Sequence, residues 1–437
     1  MSNDSIIKLN SFSKLDSAAV ARAVADFGSP IYLYDEDLIL RRCEDCLKMP
    51  NAYGLTVRYA MKANPNRTLL RAITDAGLHL DASTLAEVIR AKMAGISLDK
   101  VMLTSQEVYE GEDMAMLESF LLDGLKYNVC SLRQLYQIGD FACKNYIQPG
   151  IRIQPGLGSG ESASRTTGNE YSCFGVHPSD IEEALKYAWG KWIKFLHIHV
   201  HIGSGADPEM WRQNIDLQLD LIAKHFTESE SVGFGGGFKE ARMPDETQAD
   251  IESLGQYAKA QVEKFYKKHK RKLKTEIEPG TYIVANAGYA VTKVIDKKST
   301  PVADFIIANG GMELNARPLL YGSRHPIYII SNDGTKVKSS EFSEVEGNFE
   351  AVLAGKCCES GDCQTLNMAG EAVMRKMAEP EIGDIAVIGG VGAYCSSMAP
   401  FNYNSQMQVP EVLLTPGGGL KLIRKRQTME QMLENEI

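Results

Sequence analysis

Three observations predict an α/β protein made of a (β/α)8 barrel and a C-terminal all-β domain. Between residues 56 and 278, eight strand-like apolar runs alternate with helical patterns. Alternation over ~250 residues is typical of a closed parallel barrel, with a doubly wound open sheet as its rival. After Ile283 helical patterns become scarce, and short β-rich runs separated by turns take over. The runs also end on lysine, aspartate, histidine, glycine and glutamate, at the strand ends where barrels carry their chemistry.

The elements follow in order. Ser17 to Phe27 has helical apolar spacing, Ile31 to Asp35 reads as a short strand, and Asp35 to Met49 as a helix. Cys43 and Cys46 form a CxxC inside that helix with no second pair nearby, so they read as helix surface and core rather than redox or zinc chemistry. Barrel strands are expected near 56–61, 78–81, 101–104, 125–129, 150–153, 195–202, 231–235 and 274–278. Helices are expected over 67–76, 83–94, 106–118, 131–143, 179–190, 208–227 and 249–270. The β domain is expected to use 290–295, 305–308, 327–330, 349–353, 385–388 and 412–414, then a charged amphipathic helix from Arg424 to Glu436. The chain thus divides into an N-terminal segment 1–34, a barrel over 35–285 and a β domain over 286–437. The basic cluster from Lys264 to Lys274 reads as a solvated helix face and loop.

Composition narrows the classes. The 437 residues are 44% hydrophobic and 24% charged, ordinary for a globular protein. A net charge of −9 argues against a broad nucleic-acid footprint. No apolar run approaches the roughly 20 residues that span a bilayer. The N-terminus lacks the basic and apolar regions of a signal peptide. Nine cysteines, an odd number, fit free thiols in a reducing compartment. A cytoplasmic protein is expected.

The strand ends carry the candidate chemistry. Strand one stops at Lys62, just before the turn signal Asn64-Pro65-Asn66. The plain fate of such a lysine is to snorkel into water. A desolvated one has a lowered pKa and a nucleophilic amine. Strand two ends at Asp81, followed by Ser83 and Glu87. Strand six carries His197, His199 and His201, which at strand period face one side. Three imidazoles admit a zinc reading with an open fourth position. The preferred alternative has one histidine serving a ligand while the others pack or hydrogen-bond, since zinc leaves the lysine and the glycines below without a use. Strand seven ends in Gly235-Gly236-Gly237, a tight turn or a side-chain-free cradle whose N–H groups converge on an oxyanion such as phosphate. Ser204 and Gly280 sit at neighbouring ends and add possible donors. Strand eight ends in Glu278-Pro279-Gly280-Thr281. Glu278 is either a salt-bridge partner or the carboxylate that keeps a pyridine nitrogen protonated. A nucleophilic lysine, a phosphate cradle, a ring-nitrogen carboxylate and a flat partner for a ring face together fit pyridoxal 5′-phosphate (PLP).

These residues resemble the fold-type III PLP-dependent decarboxylases, and among them the diaminopimelate decarboxylases. The matching stretches are Tyr59-Ala60-Met61-Lys62-Ala63-Asn64, Asp81-Ala82-Ser83, His199 to Gly205, Gly235 to Gly237, Glu278-Pro279-Gly280, Arg317-Pro318-Leu319-Leu320-Tyr321, Cys358-Glu359-Ser360-Gly361-Asp362, Gly392-Ala393-Tyr394, Tyr403-Asn404-Ser405 and Leu422 to Thr428. The resemblance implies an alanine-racemase-like barrel plus a β domain that the N-terminal segment joins. It implies a homodimer with shared active sites, and no metal. Lys62 would hold PLP covalently, His201 would stack on its ring and Glu278 would face the pyridine nitrogen. Gly235, Gly236, Gly237, Ser204, Gly280 and Tyr394 would hold the phosphate, with Asp81 and Thr281 also at the cofactor. Arg317, Tyr321, Glu359 and Tyr394 would bind substrate. Cys358, with Lys62 and His201, would be catalytic, and Cys358 and Glu359 would reach the site from the partner subunit. The implied reaction is decarboxylation of meso-2,6-diaminopimelate to L-lysine and CO2, the last step of lysine biosynthesis.

One position departs from the family. Its members usually carry arginine after Glu-Pro-Gly, where it helps bind the distal carboxylate, and this chain has Thr281. Losing such a contact costs roughly 1.5–3 kcal/mol. Arg317, Tyr321, Arg324 and Arg165 are the candidates to compensate. The departure also admits a decarboxylase for a basic amino acid without a distal carboxylate, of the D-lysine or D-ornithine type. A PLP racemase on the same barrel, a zinc-dependent barrel hydrolase and a non-catalytic PLP-binding homologue are the further rivals.

Overall fold

The structure, a computed structural model, describes residues 6–8, 16–158, 167–203, 207–342 and 349–437. It contains two compact units, one built mainly from residues 41–240 and 248–282 and the other from 16–40, 241–247 and 283–437. In the first unit eight parallel strands close a barrel: Leu55–Ala60, His79–Ala82, Val101–Thr104, Lys126–Val129, Gly150–Arg152, His197–His199, Ser231–Gly233 and Lys274–Ile277. The eighth returns onto the first with Thr275 opposite Leu55 and Ile277 opposite Val57, so the open-sheet alternative falls.

The strands read as near-continuous apolar runs because both faces are covered, the outer one by helices. Those helices are Arg67–Asp75, Leu85–Met93, Gly111–Leu122, Leu132–Lys144, Ile181–Gly190, Pro208–Lys224 and Ile251–His269. Several begin on a side-chain cap placed where the sequence puts a short polar residue. Thr84 Oγ1 accepts from the Glu87 N–H, Ser131 Oγ from Gln134 and Asp250 Oδ1 from Ser253. Each cap contributes about 1 kcal/mol and fixes the chain reversal after the strand end.

The sixth strand is shorter than the expected 195–202 run. Pairing stops once the Val200 N–H has bonded to the Gly233 carbonyl, because the neighbouring chain turns away at Gly235, at φ +70°. His201 is thereby set beyond the sheet. Cys43 and Cys46 are both fully buried, so neither lies on the surface of helix Glu36–Leu47.

In the second unit the main sheet runs Val337–Ser340, Ile327–Ile330, Ile385–Gly389, Gly288–Ser299, Asp304–Ala308, Glu350–Ala354 and Arg375–Lys376. Ile31–Asp35 pairs antiparallel with Gly288–Ser299 and parallel with Glu411–Leu414, which in turn pairs with Leu420–Arg424. Helix Ser17–Phe27 lays Val20, Ala23 and Val24 on a core of Leu33, Val291, Ile385, Val387 and Val412. Each large side chain there contributes roughly 1.5–3 kcal/mol.

The expected helix from Arg424 to Glu436 is not formed as such. Thr415 and Gly419 close a turn that folds Leu420–Arg424 back as a strand. Only Met429–Leu433 is helical, starting at a capping box between Thr428 and Gln431. Strands Val337–Ser340 and Arg375–Lys376 and helix Arg317–Tyr321 were not foreseen.

Candidate active site

Lys62 lies in a short 3-10 turn, Met61–Ala63, that follows the first barrel strand. Met61 and Ala63 are buried, whereas Lys62 is exposed. The desolvation argument from sequence therefore does not hold for this amine. Its surroundings are set by charge instead: it lowers the carboxyl pKa of Asp81, Glu87 and Glu278 against the upward push of burial.

Asp81, at the end of the second strand, is 6% exposed, and its Oδ1 has no hydrogen-bond partner. Burial, reinforced by repulsion from Glu278, pushes its pKa up to about 7. Glu87 accepts the Ser83 N–H at 2.6 Å.

The histidines of strand six are engaged one by one rather than as a ligand set. His197 Nδ1 lies 2.8 Å from Ser231 Oγ. His199 Nε2 lies 3.0 Å from Glu278 Oε2. His201 Nδ1 accepts the Gly236 N–H at 3.2 Å, which leaves its proton on Nε2. Burial pushes the His199 pKa down to about 3, and Arg152 adds to this, so the imidazole is neutral and donates Nε2–H to Glu278. Its Nδ1 is buried without a partner. Burial raises the Glu278 carboxyl above its ordinary range.

The glycine run occupies space no side chain can enter. A Cβ at Gly235 would meet the Val200 carbonyl oxygen at 2.6 Å and His201 Nδ1 at 2.9 Å; one at Gly236 would meet the Glu278 carbonyl oxygen at 2.2 Å. The Glu278 N–H donates to the Gly235 carbonyl at 3.0 Å. The glycines thus pin the end of strand seven between the ends of strands six and eight. Gly280 is buried, and Thr281 is half-buried where helix Thr281–Val284 begins. Ser204 and Arg165 lie outside the described residues.

Sequence reasoning missed a second charged layer below this one. Arg58 binds Glu276 through Nε at 2.6 Å and Nη2 at 3.3 Å, both residues buried. Glu276 stands two positions before Glu278, so strand period places the pair one layer deeper. Arg152 was missed as well. It is 8% exposed, its Nε lacks a partner, and its guanidinium lies 5.0 Å from the Phe174 ring centroid. An arginine inside the apolar run Gly150-Ile151-Arg152-Ile153 was the available signal.

The second unit groups the remaining candidates. Arg317, 5% exposed, opens helix Arg317–Tyr321, and its guanidinium lies 5.5 Å from the Tyr321 ring centroid. A Cβ at Gly361 would lie 2.7 Å from Leu319, so the loop carrying Cys358 and Glu359 packs on that helix. Cys358 is exposed, and its N–H donates to Asn404 Oδ1 at 2.7 Å. Glu359 accepts the Tyr403 hydroxyl at 3.0 Å; the Gly361 N–H, then Tyr403, hold its carboxyl below the usual range. Tyr394 is half-buried at φ +57°, a left-handed conformation that bulky residues rarely adopt. Arg324 is exposed and already paired with Asp245 at 2.9 Å and Glu246 at 3.5 Å.

Comparison with known proteins supplies the family. A sequence profile described as the pyridoxal-dependent decarboxylase, pyridoxal binding domain, matches residues 37–285. The chain belongs to the pyridoxal-dependent decarboxylases. Diaminopimelate decarboxylase of Escherichia coli K12 is 31% identical over 431 residues, 97% of each chain. That of Streptomyces coelicolor is 29% identical over 426 residues, 97% of this chain and 92% of its own. A crystal structure of diaminopimelate decarboxylase superposes with TM-score 0.86 at 31% identity, covering 97% of this chain and 98% of the other. The Helicobacter pylori enzyme complexed with L-lysine gives TM-score 0.76 at 26% identity, covering 95% and 98%.

The cofactor of a pyridoxal-dependent decarboxylase is PLP, and the barrel residues fit it. The glycine cradle is free of side chains, Asp81 Oδ1 and His199 Nδ1 are buried without partners, and the Lys62 side chain is exposed just past the end of the first strand. The enzyme is a PLP-dependent decarboxylase, a lyase.

Proposed function

We propose that the protein decarboxylates meso-2,6-diaminopimelate to L-lysine and CO2. The observation that carries this reading is the end-to-end likeness to diaminopimelate decarboxylases, 31% identity over 97% of both chains. Lys62 would hold the cofactor through its amine. His201, its tautomer set by Gly236, would serve the ring face. Glu278, oriented by His199, would serve the ring nitrogen. Gly235, Gly236 and Gly237 would hold the phosphate, joined by Ser204, Gly280, Thr281 and Tyr394. When bound, PLP supplies the electron sink that accommodates the charge left by loss of CO2. Asp81, its pKa pushed up to about 7 by burial and then by Glu278, can take up or release a proton near neutral pH beside Glu278. Cys358 delivers the proton that replaces the lost carboxylate. Arg317 and Tyr321 receive the substrate's far carboxylate, and Glu359, kept anionic, receives the far ammonium.

The active unit is proposed to be a homodimer in which Cys358 and Glu359 serve the partner's site. The barrel, 35–285, is proposed as the cofactor domain, and residues 286–437 with the segment 1–34 as the substrate and dimer domain. A cytoplasmic location is supported by nine free thiols. Among the described residues no helix is long and apolar enough to cross a membrane.

Thr281 favours one second reading, a decarboxylase for a basic amino acid without a far carboxylate. CO2 release measured across meso-diaminopimelate and both hands of lysine and ornithine separates the two. Turnover of diaminopimelate is expected. Turnover of the basic amino acids alone would reverse the order. Lys62→Ala is expected to lose both covalently held cofactor, read by absorbance, and CO2 release.

A further inference from the structure

Five successive barrel helices end in the same way, and two of them depart from the residue the others use. Two positions past helices Arg67–Asp75, Leu85–Met93, Gly111–Leu122, Leu132–Lys144 and Ile181–Gly190, the backbone enters the left-handed region. The first three helices place glycine there, Gly77, Gly95 and Gly124, the residue that takes a positive φ without strain. The last two place Tyr146 at φ +57° and Trp192 at φ +58°. A bulky residue is strained in that conformation and persists only where something offsets the strain. Packing within the chain does not offset it, since the two side chains are 88% and 84% exposed.

Their neighbours extend the pattern. Met93, Leu122 and Trp189 stand in the last turns of three of these helices and are each at least 61% exposed. Among the described residues of the barrel unit, Tyr171 is the one other large apolar side chain exposed to that degree. The helices run back against the strands, so their C-terminal ends share the face at the strands' N-terminal ends, the far end of the barrel from Lys62. The strands between these helices are neighbours in the barrel. Gln148 ties the two aromatic loops together: its Nε2 donates to the Trp192 carbonyl at 3.5 Å, and its Oε1 accepts the Lys194 N–H.

Charge and area identify the occupant. Lys92, Lys191 and Lys194, at this end, are each matched by a carboxylate, from Asp123, Asp140 and Glu228. A nucleic acid or an anionic membrane calls for unmatched cations, and the whole chain carries −9. With about 150–250 Å² on each aromatic side chain, the five exposed side chains offer roughly 600–700 Å², close to the about 800 Å² that each partner of a stable interface buries. A charge-balanced aromatic face accepts its own image, and closed two-fold pairs are the commonest assemblies of one kind of chain.

We propose that this end of the barrel is an interface that binds a second copy of the chain, back to back, through Tyr146, Trp189 and Trp192. The contact is separate from the proposed pairing through Cys358 and Glu359, and it does not depend on which substrate the enzyme takes.

The test is sedimentation of the PLP-loaded full chain over a dilution series. Tyr146→Gly with Trp192→Gly removes both rings and supplies the residue that the three preceding helices use, so the backbone there is kept. Whichever unit the double variant leaves, a single chain or the pair that shares active sites, the unmutated protein is expected at twice its mass. The dissociation constant of that association should rise at least about 100-fold in the variant. Diluting the unmutated protein should red-shift its fluorescence as its mass halves, because Trp211 is buried and the change reports Trp189 and Trp192. Equal masses for the two proteins at every concentration would overturn the proposal, and pelleting of the unmutated protein alone with phosphatidylserine vesicles would then assign the face to a membrane. If circular dichroism shows the double variant unfolded, Trp189→Ser takes its place, since it leaves both left-handed positions as they are. It should weaken the association about 10-fold or more, and an unchanged association would again overturn the proposal.

Discussion

Replacing Glu276 with glutamine tests the buried charge layer beneath the site. The carboxylate is 8% exposed and held by Arg58 at 2.6 and 3.3 Å. Burial opposes its ionisation, but His197, Arg58 and His79 outweigh burial and pull its pKa down to about 2 from 4.5. Burial also keeps His197 uncharged at neutral pH, so Arg58 is the permanent counter-charge. The Arg58 share of that drop, the part that persists while His197 is uncharged, is worth at most about 3 kcal/mol of stability. That agrees with the about 3–5 kcal/mol expected when one partner of a buried pair is removed.

The pH dependence follows from the direction of the shift. The folded-state pKa is depressed, so the stabilisation is fully present above pH 4.5 and is lost as pH falls toward 2. All three tryptophans, Trp189, Trp192 and Trp211, belong to the barrel unit, so their fluorescence in urea follows the barrel transition by itself. Glu276→Gln should lose about 3 kcal/mol at pH 7 and less at pH 3. The double change Arg58→Met with Glu276→Leu should regain most of the loss, because neither charge is then stranded. A pH 7 loss below about 1 kcal/mol, or one equally large at pH 3, would refute the reasoning.

Two further outcomes follow from the same geometry. Gly236→Ala puts a Cβ 2.2 Å from the Glu278 carbonyl, so it should cost more than about 2 kcal/mol and sharply weaken cofactor binding; normal uptake of PLP by the variant, followed by absorbance, would contradict the cradle. Burial pushes the thiols of Cys43, Cys130 and Cys357 up to about 12, whereas Cys173 and Cys358 are exposed. Iodoacetamide at pH 8 should therefore modify Cys173 and Cys358 while sparing Cys357, as read by peptide mass spectrometry, and equal labelling of the adjacent pair would count against the burial of Cys357.

What was legible in the sequence follows from periodicity. The barrel strands could be read because both their faces are buried and each ends on a polar residue. His199 and Glu278 could be read as strand-end residues, though not as partners, since their pairing joins the sixth strand to the eighth across 79 positions. Whether Lys62 is solvated or desolvated stayed open in the sequence because a 3-10 turn decides which way each of its three side chains points, and Met61 and Ala63 took the inward positions. Arg242 sits in an aperiodic stretch, where a charged residue reads as solvated by default. The structure overrides that default through Gly390, which has no side chain to keep the guanidinium out.

The alternation that made the site legible also explains how its carboxylates differ. Glu276 lies in strand Lys274–Ile277 and Glu278 just past its end, two positions on, and both are buried. Glu276 raises the Glu278 pKa, so two unpaired carboxylates there would each suppress the other's charge. Arg58 removes that conflict by fixing the deeper one as an anion. Glu278 then faces a neutral imidazole, His199, which orients it at 3.0 Å without neutralising it. The result is one carboxylate with its charge satisfied and one with no cationic partner among the described residues, which under the proposed cofactor role a protonated ring nitrogen would supply. Exchanging the two environments would leave the carboxylate at the mouth already paired and the stranded one out of a cofactor's reach.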